Sequence, residues 1–432
     1  LNRVLKTLTS TVVLECYVNR FARRALREIE EAYRRMLEEM LEYALEHNVS
    51  QSTLHKIFYR KYRDAYPWLP TRVIKGAYRD AVRRAKGFRR FKKIGKSYKD
   101  KPEIRKITLA YSDLQDWRLE GGVIKLRTHI GWVELHYRGY KQLYRYLYGG
   151  WKLGGELKLK INGRNVLAYI VFKRDFEIEY NPRNVVAVDV NENNVTLALF
   201  KDGVLGDVYR VETGLGRIVI AYSERRKSIM EGKPPWDKLV KRKLGKLREK
   251  RRKLDILGKT AWFIERLALE NKAVVVVGDI DAKAKERMER DKSDRLRHRI
   301  HQWSVSTLVG LLECKPVHVV RVSERGTSSR DPFTRERIDG YSPLVIRIAV
   351  RGARRVKVLK VTLRVARVNG RVLERDVVGS IGIGFNYLNS DGSPMALGST
   401  GACEVWVKLV IPHQSPTPLT EIQVFTNTIK YR

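Results

Sequence analysis

Two short segments constrain the fold more than anything else in the chain: NVVAVDV at residues 184–190 and AVVVVGDID at residues 273–281. Each is a β-branched run with acid at its end, Asp189 in the first and Asp279 with Asp281 in the second, and apolar runs without polar alternation belong to strands buried on both faces. The first is followed by NVTLALFKDGVLGDVYRV, which has the form of a strand, a tight turn and a hairpin partner. Between the two segments, Val240, Leu244, Leu247, Leu254, Leu257, Ile264 and Ala268 keep helical spacing, so one long amphipathic helix with a cationic outer face is expected. A helix around RHRIHQWSVSTLVGLLEC and a strand VHVVRVS come next. This alternation over residues 184–323 argues for an α/β sheet with crossover helices. A carboxylate at the end of a buried strand is then either a turn residue or part of a site.

The first half reads differently. Residues 5–17 have strand character, and from Phe21 to Tyr43 the apolar positions recur three or four apart, as in an amphipathic helix. Shorter helices are expected from Ser50 to Ala65 and from Thr71 to Phe91, the latter running into RRFKKIGKSYKDK. Residues 103–180 hold β-rich segments separated by glycine and asparagine, which suggests a small antiparallel sheet or barrel. The expected domains are therefore a β-rich unit of residues 1–17 and 101–181, a helical insertion of 18–100, an α/β domain of 182–390, and an irregular tail of 391–432.

Charge narrows the partners. The chain has 87 Lys plus Arg against 48 Asp plus Glu, a formal +39, and such a field attracts polyanions. No apolar run approaches the roughly 18 to 20 residues of a spanning helix, and no signal-peptide pattern opens the chain, so nucleic acid is favoured over a membrane. The nucleic-acid contacts are expected from Lys241, Arg242, Lys243, Lys246, Arg248, Lys250, Arg251 and Arg252, with Arg89, Arg90, Lys92 and Lys93 in the first half; the alternative for each run is a solvated face. Three scattered cysteines, Cys16, Cys314 and Cys403, exclude a four-cysteine zinc site and fit a reducing cytoplasm. Heavy use of Arg, Lys, Glu and Val fits a thermophilic prokaryote. His298, His301 and Trp303 lack a ligand pattern and read as packing or phosphate-facing.

NVVAVDVNENNVTLALFKDG resembles the first RuvC motif of the TnpB family, the transposon-encoded RNA-guided nucleases related to type V CRISPR effectors. KLGKLREKRRKLD is similar to that family's basic bridging helix, and LERDVVGSIGIGFNYL to its third motif. The resemblance implies an RNase H-like (RuvC) domain joined to a wedge-like β-rich domain with a helical recognition insertion. It implies metal-dependent endonuclease activity on double-stranded target DNA, a guide RNA, a place near the nucleoid, Mg2+ with Mn2+ as substitute, and no small-molecule cofactor. Carried over by motif, the metal and catalytic ligands are Asp189 and Asp376. Two divalent cations about 3.5 to 4 Å apart need such hard oxygen ligands brought together from distant positions.

Three departures accompany the resemblance. The second-motif glutamate falls on Gly278, which leaves Asp279 as the substitute third ligand provided a bulge at Gly278 turns it toward the other acids; without one, strand alternation faces it away. Asp281 shares its parity, and Glu286 and Glu289 read as solvated. Residues 325–372 carry a basic hairpin in place of the family's zinc ribbon, so zinc is not expected. Gly379 and Gly382 enter the third motif and are expected to loosen its helix. Asp189 could otherwise be a surface acid and Asp376 a helix cap. The alternative function is a nuclease-inactive RNA-guided DNA-binding protein, repressor-like; a third is a general nucleic-acid packaging protein.

Overall fold

The computed structural model describes residues 1–95, 101–111, 115–162, 165–234, 236–279, 304–334, 336–351, 356–389, 405–412, 415–424 and 430–431. The chain divides into two units, Thr7–Asp175 and Leu1–Lys6 with Phe176–Arg432.

The Thr7–Asp175 unit is built on β1 (Asn2–Tyr17), three helices α1 (Arg20–His47), α2 (Gln51–Ala65) and α3 (Thr71–Lys93), and then β2 (Leu109–Tyr111), β3 (Trp117–Glu120), β4 (Val123–Thr128), β5 (Gly131–Arg138), α4 (Tyr140–Leu147), β6 (Lys152–Asn162) and the first part of β7 (Asn165–Val190). The strands lie in the order β3-β4-β5-β1-β7-β6-β2. Asn19 caps α1 by accepting from Ala22 N, and Ser50 caps α2 by accepting from Thr53 N, the usual way a short polar side chain satisfies an open helix amide. The stripe Ala22, Leu26, Ile29, Tyr33, Met36 and Met40 is buried, as the helical spacing requires. Helices and sheet share one core, with Trp117, Tyr33 and Phe172 among its largest buried side chains.

The other unit continues with β8 (Asn194–Lys201), β9 (Val204–Glu212), α5 (Leu215–Met230), α6 (Lys238–Gly245), α7 (Glu249–Glu270), β10 (Ala273–Asp279), α8 (Val305–Glu313) and β11 (Val319–Ser323). After them come β12 (Ser342–Arg351), β13 (Val356–Val368), β14 (Arg371–Glu374), α9 (Arg375–Leu388), β15 (Val405–Ile411), β16 (Ser415–Val424) and β17 (Lys430–Tyr431). The main sheet runs β17-β16-β15-β9-β8-β7-β10-β11. Strands β7, β8 and β9 are antiparallel neighbours, whereas β10 lies parallel to β7 and β11 parallel to β10.

Both faces of this sheet are covered, which is why its central strands read as valine runs. Val185, Ala187, Val274 and Val276 pack on one face with α9 and the β12–β14 sheet. Val186, Val188, Val275 and Val277 pack on the other with α7 and α8. At roughly 1.5–3 kcal/mol for each fully buried aliphatic side chain, the two layers hold the central strands firmly.

Four expectations are corrected. The stripe from Val240 to Ala268 belongs to two helices rather than one: α6 ends at Gly245, and Arg248 with φ 53 lies in the left-handed region, which breaks the helical path before α7. The tail is not wholly irregular, because Val405–Ile411 joins the main sheet parallel to β9. Helix α9 runs unbroken for 14 residues, and its glycines serve close approach: a Cβ at Gly382 would meet Thr327 O at 2.7 Å, and one at Gly384 would strike the Phe200 ring. Their backbone entropy cost is offset by packing that no larger residue permits. Finally, β10 pairs with β11 without a register shift from Val275↔Val319 to Gly278↔Val322 and Asp279↔Ser323, so the bulge that would redirect position 279 is not formed.

Candidate active site

Strand alternation places Asp189 on the same side of β7 as Val185 and Ala187, the side that α9 covers. Asp376 is the second residue of α9 and is 2% exposed. Gly379, one turn along the helix, lies so close to Asp189 that a Cβ there would stand 2.9 Å from its Oδ2. Glycine in this helix thus lets the strand-end carboxylate come up to the helix bearing the second acid.

A further acid, not singled out from the sequence, approaches the same face. Position 278 has the parity of Val274 and Val276 and so belongs to the α9 face, while position 279 has the parity of Val275 and Val277. Glu324, one residue past the end of β11, folds back across Gly278, and a Cβ built on that glycine would land on its carboxylate group. Where the resemblance places a glutamate, the chain has an opening filled by a glutamate from the neighbouring strand. The side chain of Asp279 and the whole of Asp281, Glu286, Glu289, His298, His301 and Trp303 lie outside the described residues.

Electrostatics tie these groups together. Burial pushes the Asp189 carboxyl well above the ordinary carboxylate range, and the charges of Asp376 and then Glu324 push in the same direction, against a hydrogen bond from Asn191. That hydrogen bond runs from Asn191 Nδ2 to Asp189 Oδ2 at 2.8 Å. Glu374 accepts from Val377 N at 2.9 Å and so caps α9; its carboxyl is pushed up to about 7 by burial first and Asp376 second, with Arg210 opposing.

Arg210 on β9 is almost fully buried. Its Nε donates to Glu212 at 2.7 Å, and its Nη1 donates to Glu374 at 3.1 Å and to Asp376 Oδ2 at 3.0 Å. Burial works against its charge, but Glu374, Glu212 and Asp376 hold it protonated beyond the normal arginine range. Asn194 Nδ2 donates to the same Oδ2 at 3.0 Å and is itself held by Thr196. The other oxygen of Asp376 accepts from Arg364 Nη2 at 2.7 Å, and that nitrogen also reaches Asn191 Oδ1 at 3.1 Å. The centre therefore gathers five carboxylates, of Asp189, Glu212, Glu324, Glu374 and Asp376, against two guanidinium groups.

Such an excess of hard oxygen donors suits a divalent cation, whose charge would offset both the burial and the neighbouring acids that raise Asp189. Among the described residues no three His, Cys, Asp or Glu side chains stand around one point at ligand spacing; the guanidinium groups occupy Asp376. The donor types fit a metal, and the arrangement is one from which Arg364 must withdraw before Asp376 Oδ1 can serve as a ligand.

The expected nucleic-acid contacts divide. Lys241, Arg242, Lys243, Lys246, Arg248, Lys250, Arg251 and Arg252 are exposed on α6, α7 and the turn between them, as are Arg90, Lys92 and Lys93 at the end of α3. Arg89 is committed elsewhere: its guanidinium donates to Asn48 and to the carbonyls of Ala44 and Leu45, closing the C-terminus of α1. Arg210, Arg364, Asn191, Asn194 and Glu324 were not singled out from sequence. Only Glu324 carried a local signal, being an acid at the end of a β-branched strand as Asp189 is.

No helix among the described residues is long and apolar enough to cross a membrane. Residues 29–126 match a family described as the Uncharacterized protein MJ0013 family. A relative from Methanocaldococcus jannaschii, uncharacterized protein MJ0857, is 27% identical over 238 residues, covering 49% of this chain and 85% of its own. Among solved structures the chain is similar to one described as a Cas12f1–sgRNA–target DNA complex, with a TM-score of 0.44, 11% identity and coverage of 88% of this chain and 99% of that one. It is also similar to a Cas12i1 R-loop complex before target DNA cleavage, with a TM-score of 0.39, 8% identity and coverage of 85% and 66%.

Proposed function

We propose that the chain is a RuvC-type, metal-dependent DNA endonuclease guided by RNA, with Asp189, Glu324 and Asp376 as its metal-holding carboxylates. The observation that carries this reading is the approach of acids from three separate elements to one face of the sheet: half-buried Asp189 on β7, half-buried Glu324 past the end of β11, and buried Asp376 at the start of α9. The strand order β9-β8-β7-β10-β11, antiparallel for three strands and then parallel, is that of an RNase H-like sheet.

When bound, divalent cations supply Lewis acidity and an activated water for phosphodiester hydrolysis. The chain's own residues set the conditions. Asn191 orients Asp189, Asn194 and Arg210 fix Oδ2 of Asp376, and Gly278 leaves the space Glu324 needs. The exposed cations of α6 and α7 support binding of nucleic-acid phosphates, with strong salt dependence and little sequence readout. Sequence would then be read by base pairing with the guide, as such systems do.

A second reading is favoured by one observation: both oxygens of Asp376 are already neutralised by arginine. In that reading the protein binds guided targets without cutting. The two separate in one experiment. Protein purified with its co-expressed RNA should cut complementary DNA in Mg2+ or Mn2+, and Asp189→Ala should abolish cutting; binding without cutting in either metal would select the second reading.

A further inference from the structure

Resting on that reading, we propose that the outer face of the β12–β13 hairpin binds the sugar–phosphate backbone of a nucleic-acid strand and leads it to the acid cluster. Between Tyr341 and Leu373 the sequence has nine Lys and Arg and no acid. The hairpin register puts Arg347 directly opposite Lys360, with both side chains exposed. Like charges opposite each other weaken a sheet, so this pair is a cost in the free protein that a polyanion removes. Among the described residues neither makes an ion pair.

A third cation joins them from another element. Arg217, near the start of α5, donates from Nη1 to Lys360 O at 3.4 Å, which brings its guanidinium to the edge of the same face. Val345 and Val358 lie on that face too, at 55% and 62% exposed, against the inner face where Ile346, Ile348 and Val361 join the core. Apolar side chains between cations suit the sugars and bases of a strand as well as its phosphates.

The face is continuous with the site. Lys360, Thr362 and Arg364 alternate outward along β13, and the four residue steps from Lys360 to Arg364 span about 14 Å. Arg364 ends the row on Asp376, and Arg210 Nη2 donates to Thr362 O at 3.2 Å, anchoring β13 over the centre. A strand lying along Arg347 and Lys360 reaches Arg364 next, and its phosphate competes with Asp376 for that guanidinium. Arrival of the strand and release of Asp376 are thereby one event.

The test is equilibrium binding of a fluorescent single-stranded DNA oligonucleotide, without divalent metal, between about 50 and 200 mM salt. Arg347→Glu with Lys360→Glu should lower affinity at least tenfold at the low-salt end. It should also reduce the salt slope by about 1.4, the value for two phosphate contacts on a single strand. A charge-matched control, Lys201→Glu with Lys227→Glu, should change affinity and slope by less than half as much. Arg347→Gln with Lys360→Gln, expected to melt as wild type does, should show the same losses in smaller measure. If the hairpin variants bind as the control does, the proposal is overturned. Because metal is absent, the result is independent of cleavage: hairpin-dependent binding in a protein that never cuts leaves this face standing and removes the nuclease reading, whereas cutting with hairpin-independent binding does the reverse.

Discussion

Gly278→Ala is the smallest change that tests the site. A methyl group at this position falls on the Glu324 carboxylate rather than into open space. Carbon and oxygen need about 3.5 Å between them, so the carboxylate must move by roughly 1 Å or more. Displacement of a catalytic group by about 1 Å costs on the order of 100-fold in rate, close to 2.7 kcal/mol of barrier. The backbone at Gly278 is regular strand, so alanine adds no backbone strain, and the stability cost is that of displacing Glu324, about 1–3 kcal/mol at most. The assay is single-turnover cleavage of labelled target DNA by the RNA-bound protein, read beside urea denaturation. Gly278→Glu alone should be at least as damaging, since it places two carboxylates in one space. The swap Gly278→Glu with Glu324→Gly should recover most of the activity by returning one glutamate to the same position from the other strand. Full activity in Gly278→Ala, or no recovery in the swap, would refute the placement of Glu324.

Other consequences follow from the charges of the centre. Arg210→Met removes the cation shared by Glu212, Glu374 and Asp376 and should destabilise the protein by about 3–5 kcal/mol in urea denaturation, because buried carboxylates are left unpaired; a loss under about 1 kcal/mol would contradict the ion-pair assignment. Arg364→Gln frees Asp376 Oδ1 and should tighten Mn2+ binding, measured by electron paramagnetic resonance, by about tenfold; unchanged affinity would show that the arginine does not compete. Asp189 and Glu374 titrate higher folded than unfolded, so the folded state holds more protons and ionising them costs stability as pH rises. Metal-free protein should therefore gain melting temperature as pH falls from about 8 toward 5.5, and Asp189→Asn should flatten that rise; the opposite slope would contradict the crowding of the acids.

The buried strands were legible because Val185–Val188 and Val274–Val277 admit no solvent face, whereas Asp189 and Asp376 were named by the motif resemblance, and the structure places them close together across β7 and α9. Glu324 stood at the end of a β-branched strand, but its position over Gly278 was not legible. Its place depends on the parallel pairing of Gly278 with Val322, a contact between residues far apart in sequence, and nothing in GDIDAK announces that the space above a glycine is taken by another strand's side chain. The glycines of α9 misled for the same reason, since propensity counts their entropy and cannot see the strand they approach. The basic segment looked like one helix because its apolar spacing survives the break at Arg248. Arg89 looked like its neighbours, and only the end of α1 beside it shows that its charge is committed. Arg210 sits within GDVYRVE, where alternation gives no sign that an arginine faces inward to three acids.

The most direct test compares Glu324→Gln with Asp279→Asn in the same cleavage assay, with Mn2+ binding measured in parallel. Glu324 as the third acid predicts that Glu324→Gln loses on the order of 100- to 1,000-fold in cleavage, as removal of one stabilising group does, and weakens Mn2+ binding, while Asp279→Asn stays within a few-fold of wild type. Full activity in Glu324→Gln together with loss in Asp279→Asn would contradict it.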